Sequence, residues 1–514
     1  MRRLALMRLP PNPDKRRRTR LAGWLIAFSV VLQPPGPLHA ATALPSLGAV
    51  ESSELSPQME RRLGEQIMRE IRGNRDYLDD APLLEYVNTF GNSLVSARPD
   101  VRGEANFDFE FFVVRDKAIN AFALPGGFIG LHSALLLSAQ TESQLASVMA
   151  HEIGHVSQRH IARMLGAQKQ DMLIPLAGAV LAALAVGAGG DASAALMAGS
   201  QGLAMQRMLN FSRNAEREAD RIGLQILDEG GFDTSGMVGF LGRMQSASRG
   251  YSDSVPPYLL SHPLTTERIA DIQSRIQGQR YKQRADSIDF YLAKARIRVL
   301  QDTSGQGLQD AATFFENQLL DKARLQAVAA RYGLAMIAVE RGQGEKAQAL
   351  FREMQGADGA ERAGNGILLT GLEIDIQMAM KKPDEALALA EAARKKYPVS
   401  RSIAYQYAET LLAAQRRDEA VAYLRDQSQL YREDVRLQEL LAKAYAAQGK
   451  QALQHLALAQ AYALIGSVPT ALDQLGIARR APDASFYDQA IIDAKERELR
   501  TKWREQLEES KRMP

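Results

Sequence analysis

The residues of this 514-residue chain that are best suited to chemistry are two histidines four positions apart, His151 and His155, with Glu152 beside the first. Positions four apart share one face of a helix, so both imidazoles can bind one metal ion. The glutamate can take a proton from water at such a site. The alternative is a solvated helix with unrelated histidines, but a chain with only seven histidines makes a chance match rare. The spacing therefore predicts a metal site for hydrolysis.

A catalytic zinc site needs a third protein ligand and one open position. The chain has no cysteine, so the third ligand must be a histidine or a carboxylate. We expect it to be Glu216, although spacing alone leaves other carboxylates open. Asp220 lies one turn further along and can fix the tautomer of a ligand histidine by accepting its hydrogen bond. Glu218 is expected to point away, and His160 and His132 are expected to be structural, His160 because it lies off the ligand face.

Two predicted helices position these residues. The histidine pair is predicted to lie on a helix over about 141–164, which begins with a capping box of Thr141 and Gln144. A second helix is predicted over about 202–229 and carries the carboxylates. Irregular chain is expected from its end to His262.

Further helices and short strands are predicted around the metal site. Apolar residues at helical spacing predict a helix over 56–97, and another helix begins near Thr266. Alternating apolar residues over 107–113 predict a strand. Residues 120–132 are predicted to form two extended pieces around a Pro-Gly-Gly turn at 125–127.

Residues 1–40 have the pattern of a secretory signal peptide, which predicts export. A basic stretch precedes the apolar run 21–32, and prolines and small residues follow, with cleavage expected after Ala40 or Ala43. The run is short for a membrane span, but an uncleaved anchor and a start at Met7 are alternatives. Removal of 1–40 changes the net charge from +3 to −4, so no nucleic-acid partner is expected.

The sequence pattern changes beyond about residue 285, where helices rich in alanine are predicted. Asp384-Glu385-Ala386 recurs 34 residues later at 418–420. A period of 34 with two helices per unit is typical of tetratricopeptide repeats. A generic helical bundle with a chance match is the alternative.

Several motifs together resemble the zinc endopeptidase family of the prenyl-protein (CAAX) protease type. The histidine pair is followed about sixty residues later by S-R-x-x-E-x-x-x-D at 212–220. The segments NAFALPGG at 120–127 and SHPL at 261–264 also match that family. The resemblance covers about 55–275.

The resemblance implies a role for each residue of the metal site. It implies one zinc ion per chain held by His151, His155 and Glu216. It implies that Glu152 is the general base and that Asp220 is an acidic residue that contacts a metal ligand without binding the metal itself.

Two residues of the family pattern allow more than one role. In periplasmic members the histidine equivalent to His262 can take the place of water at the zinc, which implies an off-state latch. From the residues alone, His262 is an extra ligand, an oxyanion donor or a turn histidine. Arg268 is an oxyanion or carbonyl stabiliser or a helix-surface arginine.

The resemblance also implies where substrate binds. Proteases of this kind hold the peptide as an added strand, so backbone hydrogen bonds give affinity without strict sequence demand. The expected substrate-binding residues are Asn120, Ala121, Phe122 and Ala123.

We therefore expect a mostly α chain: a signal peptide (1–40), a zincin-like α+β metalloprotease domain with a small sheet (41–285) and a tetratricopeptide-repeat solenoid (286–514). The resemblance implies a periplasmic zinc endopeptidase that degrades misfolded or stalled outer-membrane proteins, with its repeats docked on the barrel-assembly machinery. A repeat-based chaperone or adaptor with a mostly latent protease is the alternative. The segment 173–190 is expected to be a buried helical cap or a peripheral membrane contact.

Overall fold

Helix dominates the structure, a computed structural model that describes residues 55–103, 105–166, 212–250, 257–277, 282, 284–320, 324–356 and 366–511. The predicted signal peptide and the segment 173–190 lie outside the described residues. The prediction of a mostly α fold with a small sheet is confirmed. Within the described ranges, no helix has both the length and the apolar composition needed to cross a membrane.

The helices fall into two groups along the chain. The first group is α1 (Pro57–Arg72), α2 (Ala81–Ala97), α3 (Ser133–Ser138), α4 (Glu142–Ser157), α5 (His160–Gly166), α6 (Arg213–Glu229), α7 (Ser235–Gly250), α8 (Pro257–Ser261) and α9 (Thr266–Ile276). The second group is α10 (Ile288–Leu300), α11 (Gly305–Leu320), α12 (Arg324–Glu340), α13 (Gly344–Gln355), α14 (Ile367–Ala379), α15 (Pro383–Lys396), α16 (Arg401–Ala413), α17 (Arg417–Leu430), α18 (Val435–Ala447), α19 (Gln451–Leu464), α20 (Val468–Arg480) and α21 (Phe486–Lys511).

Three short strands form one sheet in the order β1–β3–β2. They are β1 (Glu110–Val114), β2 (Ala121–Leu124) and β3 (Phe128–His132). β1 runs parallel to β3 and β2 runs antiparallel to it, which makes β2 an edge of this sheet. The predicted turn between β2 and β3 is confirmed: Gly126 and Gly127 have φ of 80° and 95°, where glycine is favoured.

The prediction of one helix over 56–97 is wrong, because two caps divide it. Gly73 ends α1, and its amide donates to carbonyls of the last turn. Asp80 begins α2, and its carboxylate accepts the Leu83 amide at 3.0 Å. The intervening residues cross to the sheet, where the Leu78 amide donates to the Val113 carbonyl at 3.0 Å.

The prediction of irregular chain before His262 is also wrong, since α7 and α8 lie there. The sequence of α7 is rich in glycine and serine, which are weak helix formers. Tertiary packing overrides that preference, because apolar residues at helical spacing are buried in the main hydrophobic core: Met237, Phe240, Leu241 and Met244.

Small residues allow α4 and α6 to approach each other closely. A Cβ on Gly154 would lie 2.9 Å from the carbonyl oxygen of Ala219. A Cβ on Gly223 would lie 3.2 Å from the backbone nitrogen of His151. The two helices that carry the predicted metal ligands are therefore in direct backbone contact.

The second group of helices repeats its backbone geometry at the predicted period. Residues in the left-handed region recur every 34 positions, at Lys381, Gln415 and Gly449. Ala386 and Ala420, which are also 34 apart, are both fully buried. Small side chains at these positions let successive helices pack closely, so the predicted repeat pattern is confirmed.

Polar contacts join the two groups of helices. Arg296 on α10 donates to both carboxylate oxygens of Asp80, at 2.5 and 2.8 Å, and to the Tyr332 hydroxyl at 3.0 Å. On α2, Glu85 accepts hydrogen bonds from Ser400 and Ser402 in the repeat region. The predicted boundary at 285/286 stays a prediction, because one apolar core runs from Leu78 to Ile376.

Candidate metal centre

Four side chains with metal-binding atoms meet in the interior. They are His151, His155, Glu216 and His262, and one ligand atom from each lies within 4.8 Å of all the others. All four residues are buried. Imidazole nitrogens and a carboxylate oxygen are ligand types that zinc prefers, so this set fits the metal expected from the sequence.

The helix α4 presents both histidines of the motif to the same point. Their Nε2 atoms are 3.0 Å apart, because one helical turn separates His151 from His155. Thr141 caps this helix as predicted, accepting the Gln144 amide at 3.2 Å. The Gln144 side chain accepts from the Gln140 amide instead of closing a reciprocal capping box.

The helix α6 supplies the carboxylate of the cluster. The Glu216 oxygens lie 3.5 Å from His151 Nε2 and 3.4 Å from His155 Nε2. Burial by itself raises the pKa of Glu216, but His262 and the two motif histidines hold it well below its usual range. These neighbours therefore favour the ionised carboxylate, which is the form that binds a metal.

The ring of His151 is held from its other side by Asp220. His151 Nδ1 lies 3.0 Å from Asp220 Oδ1, which leaves Nε2 facing the cluster. Burial opposes protonation of His151, but hydrogen bonds to Asp220 and Glu216 raise its pKa to about 10. A carboxylate behind a histidine is the usual arrangement that orients a metal ligand.

Arg268 is buried among these carboxylates and does not lie on the helix surface. Its guanidinium donates to both oxygens of Asp220 at 2.8 Å and lies 2.7 Å from Glu216 Oε2. It also donates to the Pro263 carbonyl at 2.9 Å, which ties it to the segment that carries His262. Burial disfavours the charge, but Asp220 outweighs burial and raises the pKa of Arg268.

Glu152 lies beside the cluster and is fully buried. Burial raises its pKa, although the nearby His262 and His151 and the Ala123 amide oppose that rise. The contact with Ala123 brings this glutamate to the edge strand β2. Three of the predicted substrate-binding residues lie on β2, and Asn120 directly precedes it.

His262 follows the short helix α8 and projects into the cluster. Its Nδ1 lies 3.1 Å from Glu216 Oε1 and 3.3 Å from His151 Nε2. Its Nε2 lies 3.4 Å from Glu152 Oε1. Its ring packs against Tyr258, with ring centroids 4.8 Å apart. This histidine therefore contacts the cluster, which a simple turn histidine would not do.

The structure places His160 against the cluster and Glu218 against His160, and the sequence predicted neither contact. The helix α4 ends at Ser157, earlier than predicted, and Arg159 adopts a left-handed φ of 50°. This break brings His160 Nδ1 to 2.9 Å from His155 Nδ1. His160 Nε2 in turn lies 3.1 Å from Glu218 Oε2. A straight helix would have kept His160 away, so spacing alone gave no signal.

His132 lies outside the cluster, as expected for a structural histidine. Its Nδ1 lies 3.2 Å from the Ala118 carbonyl oxygen and 3.5 Å from Asp116. Burial lowers its pKa, and Asp116 opposes that change.

Two known families match separate parts of the chain. Residues 86–276 match the description "Peptidase family M48", and residues 377–444 match "Tetratricopeptide repeat". The first match contains the whole metal cluster. The second contains the repeated helices with the 34-residue period.

Comparison with individual proteins gives matches along nearly the whole chain. The β-barrel assembly-enhancing protease of Escherichia coli is 34% identical over 93% of this chain and 96% of its own length. The putative β-barrel assembly-enhancing protease of Vibrio cholerae is 38% identical over 60% of this chain and 63% of its own length. The mitochondrial metalloendopeptidase OMA1 of Schizosaccharomyces pombe is 29% identical over 51% of this chain and 73% of its own length.

Identity of this level along almost the full length is sufficient to assign a family. The resemblance inferred from the motifs is confirmed, and the buried donor set agrees with a metal-dependent activity. This chain belongs to peptidase family M48 and is a metalloendopeptidase that carries tetratricopeptide repeats behind its catalytic domain.

Proposed function

We propose that this metalloendopeptidase works in the periplasm, where it degrades misfolded or stalled outer-membrane proteins and assists the assembly of β-barrels. The observation that carries the proposal is the buried cluster beside Glu152, within a chain that matches barrel assembly-enhancing proteases over nearly its full length. The names of those relatives support the link to barrel assembly. The signal-like residues 1–40 support export.

One zinc ion per chain is proposed, held by His151, His155 and Glu216. Their ligand atoms converge, and the surrounding histidines lower the pKa of Glu216, which favours the metal-binding form. When bound, zinc polarises the scissile carbonyl and makes water acidic enough to act as a nucleophile near neutral pH.

Glu152 is the proposed general base. Its burial raises its pKa toward the range in which it can accept a proton from attacking water and then pass the proton to the leaving amine. Asp220 keeps the His151 ring oriented, and Arg268 balances the charge of two buried carboxylates.

The edge strand β2 is the proposed substrate-binding strand. Among the described residues β2 is an edge of the sheet, and its Ala123 contacts Glu152, so a peptide added there as a further strand would bring its backbone close to the general base. Asn120, Ala121, Phe122 and Ala123 would supply mainly backbone contacts. Such contacts suit clients that share no sequence, including unfolded outer-membrane proteins.

His262 is the proposed latch. Its Nδ1 lies among the ligand atoms, which supports a role as a fourth ligand that excludes water and keeps the enzyme off. In the rival role, as an oxyanion donor, the imidazole would have to face the substrate. The imidazole instead lies between His151 and Glu216, which favours the latch.

The remaining parts of the proposal concern export and docking. Residues 1–40 are the proposed signal peptide, 41–285 the protease domain and 286–514 the repeat domain. We propose that the repeats bind the barrel-assembly machinery or unfolded clients on their concave surface. Peripheral membrane contact through 173–190 is part of the same proposal.

A Glu152→Gln substitution tests this function. The variant should keep its zinc and bind clients without cutting them, because Gln preserves the shape of the side chain but cannot take a proton. Capture from the periplasm should then recover outer-membrane β-barrel proteins and barrel-assembly components. Recovery of neither, while the wild type also fails to cut an unfolded β-barrel protein, would refute the proposed substrate class.

The alternative is a repeat-based chaperone or adaptor with a mostly latent protease. The presence of His262 within the ligand cluster favours some latency. The same variant separates the two readings, because an adaptor would keep its full biological activity after Glu152→Gln.

A further inference from the structure

We propose that His160 and Glu218 form a relay that orients the metal ligand His155, and that metal affinity depends on it. The inference rests on the proposed ligand set of His151, His155 and Glu216. It assigns a positioning role to two residues that lie outside that set and outside the catalytic motif.

The geometry gives the direction of each hydrogen bond in the relay. His155 Nε2 faces the cluster, 3.0 Å from His151 Nε2 and 3.4 Å from Glu216 Oε1. To bind a metal it must present a lone pair there, so His155 carries its proton on Nδ1. That proton points at His160 Nδ1, 2.9 Å away, which must therefore accept it.

The position of this proton also determines the direction of the hydrogen bond at the other end of the relay. Because His160 accepts at Nδ1, its own proton lies on Nε2. Glu218 Oε2 lies 3.1 Å from that nitrogen and accepts the hydrogen bond. Arg163 lies 3.5 Å from the same carboxylate oxygen, at the solvent-facing end. Every donor in the chain from His155 to Glu218 thus meets an acceptor.

The local backbone brings His160 into this contact. Arg159 holds a left-handed φ of 50°, which is uncommon for a residue with a side chain. Its guanidinium donates to the buried carboxylate of Glu60 at 3.0 Å, which fixes the break between α4 and α5. Without this break His160 would lie off the ligand face, as the sequence suggested.

The two motif histidines are therefore supported in different ways. His151 donates to Asp220, a buried carboxylate paired with Arg268. His155 donates to a neutral imidazole, with the carboxylate of Glu218 one step further away. Loss of an outer partner of a ligand histidine typically lowers metal affinity about tenfold to a hundredfold. We expect an effect of that size from loss of His160.

Three substitutions at one position test the relay. His160→Leu removes the acceptor. His160→Gln places its amide near the former Nε2 position, so it can reach Glu218 but not His155. His160→Asn places its amide oxygen near the former Nδ1 position and can still accept from His155. The control is His132→Asn, which changes a buried histidine outside the cluster.

Zinc affinity, measured by competition with a chelator, should fall about tenfold to a hundredfold in His160→Leu and His160→Gln. His160→Asn should stay within a few-fold of the wild type, and His132→Asn should not change. In the zinc-bound wild type, the Nδ1 proton of His155 should give a downfield NMR signal that His160→Leu loses. Thermal unfolding of the metal-free variants shows whether each one is folded.

Equal affinity in His160→Gln and the wild type would overturn the relay. So would an equal loss in His160→Asn and His160→Gln, because that outcome indicates packing and not hydrogen bonding. His155→Ala separates this inference from the proposed function. If His155→Ala leaves zinc affinity unchanged, the ligand set itself is wrong. If it abolishes binding while His160→Gln does not weaken it, only the relay fails.

Discussion

The metal centre and the repeats bury very different side chains. Around the metal centre, ionisable residues from four separate segments are packed together without exposure to water. In the repeats, the buried positions are mainly alanine and leucine from neighbouring helices. Buried charges are stable only as a set, because each needs a partner of opposite charge or a hydrogen bond. A substitution in the centre should therefore affect every member, whereas one in the repeats should act locally.

The two regions share an apolar core and are also joined by polar contacts. Arg296 reaches from α10 to Asp80, and Glu85 reaches from α2 to Ser400. Like the contacts within the metal centre, and unlike most contacts within the repeats, these contacts join residues that are far apart in the sequence. They fix the first repeat helices against the catalytic domain, so the repeats are held in a defined position by the protease.

Glu216→Ala should have the largest effect, since it removes a proposed ligand. Structural zinc sites bind with roughly 10–16 kcal/mol in total, so loss of one of three protein ligands should weaken binding on the order of a thousandfold. Competition with a chelator measures this change. The control is Glu229→Ala, an exposed glutamate at the end of the same helix. Full zinc occupancy of the Glu216→Ala protein would show that another residue is the ligand.

Arg268→Leu should have the next largest effect, on folding stability. The substitution leaves Asp220 and Glu216 buried without their cation, and breaking such a set costs about 3–5 kcal/mol. Denaturant unfolding of the metal-free protein should show this loss. The matched control in the repeats is Arg416→Leu, whose side chain pairs with Glu419 at the surface and should be silent. Equal stability of Arg268→Leu and the wild type would contradict the view that the centre is stable only as a set.

Much of the fold was predictable because the signals are local. The histidine helix, the cap at Thr141 and the glycine turn at 126–127 depend on neighbours within a few residues. The 34-residue period is also local, since each repeat contacts mainly the next one. All four members of the metal cluster were expected from a motif and a resemblance, three as ligands and His262 as a latch, and the structure brings them together.

The features that the sequence missed depend on contacts between distant segments. The break between α4 and α5 at Arg159 is stabilised by Glu60, which lies almost one hundred residues earlier in the sequence. No local sequence pattern predicts it. For Arg268 the sequence left a site role and a helix-surface position open, and its burial follows from carboxylates on another helix. The helix α7 did carry a signal, since its buried apolar residues follow helical spacing, but its glycines and serines masked it.

His262→Ala should have a smaller effect, and in the opposite direction to loss of a ligand. If the latch is closed for nine-tenths of the time, removing it should raise degradation of a purified unfolded substrate about tenfold. The oxyanion role predicts a loss of roughly tenfold to a thousandfold instead. Zinc content must be measured alongside, and His455→Ala in the repeats is the control. Lower activity with zinc retained would end the latch proposal.

The smallest expected effect tests a buried charge on the repeat side. Asp375 on α14 is largely enclosed, and burial raises its pKa to about 6, although Arg296 and a hydrogen bond from Gln406 oppose the rise. The folded protein thus keeps this proton to a higher pH than the unfolded chain does. The free energy of unfolding should fall as the pH rises from about 4 to about 6, and the loss should persist above that window.

Asp375→Asn should remove this pH dependence, because the amide does not ionise and its oxygen can still accept the hydrogen bond from Gln406. At pH 7 the variant should be more stable by about 1 kcal/mol, a modest value because partial contact with solvent screens the charge. Thermal unfolding at several pH values measures the change. The control is Asp384→Asn, an exposed aspartate in the first turn of α15, where the carboxylate favours the helix and its loss should not stabilise. A variant that is less stable than the wild type at pH 7 would mean that the attraction of the Asp375 carboxylate to Arg296 outweighs the cost of its burial. Paired buried charges would then stabilise the repeats as they do the metal centre.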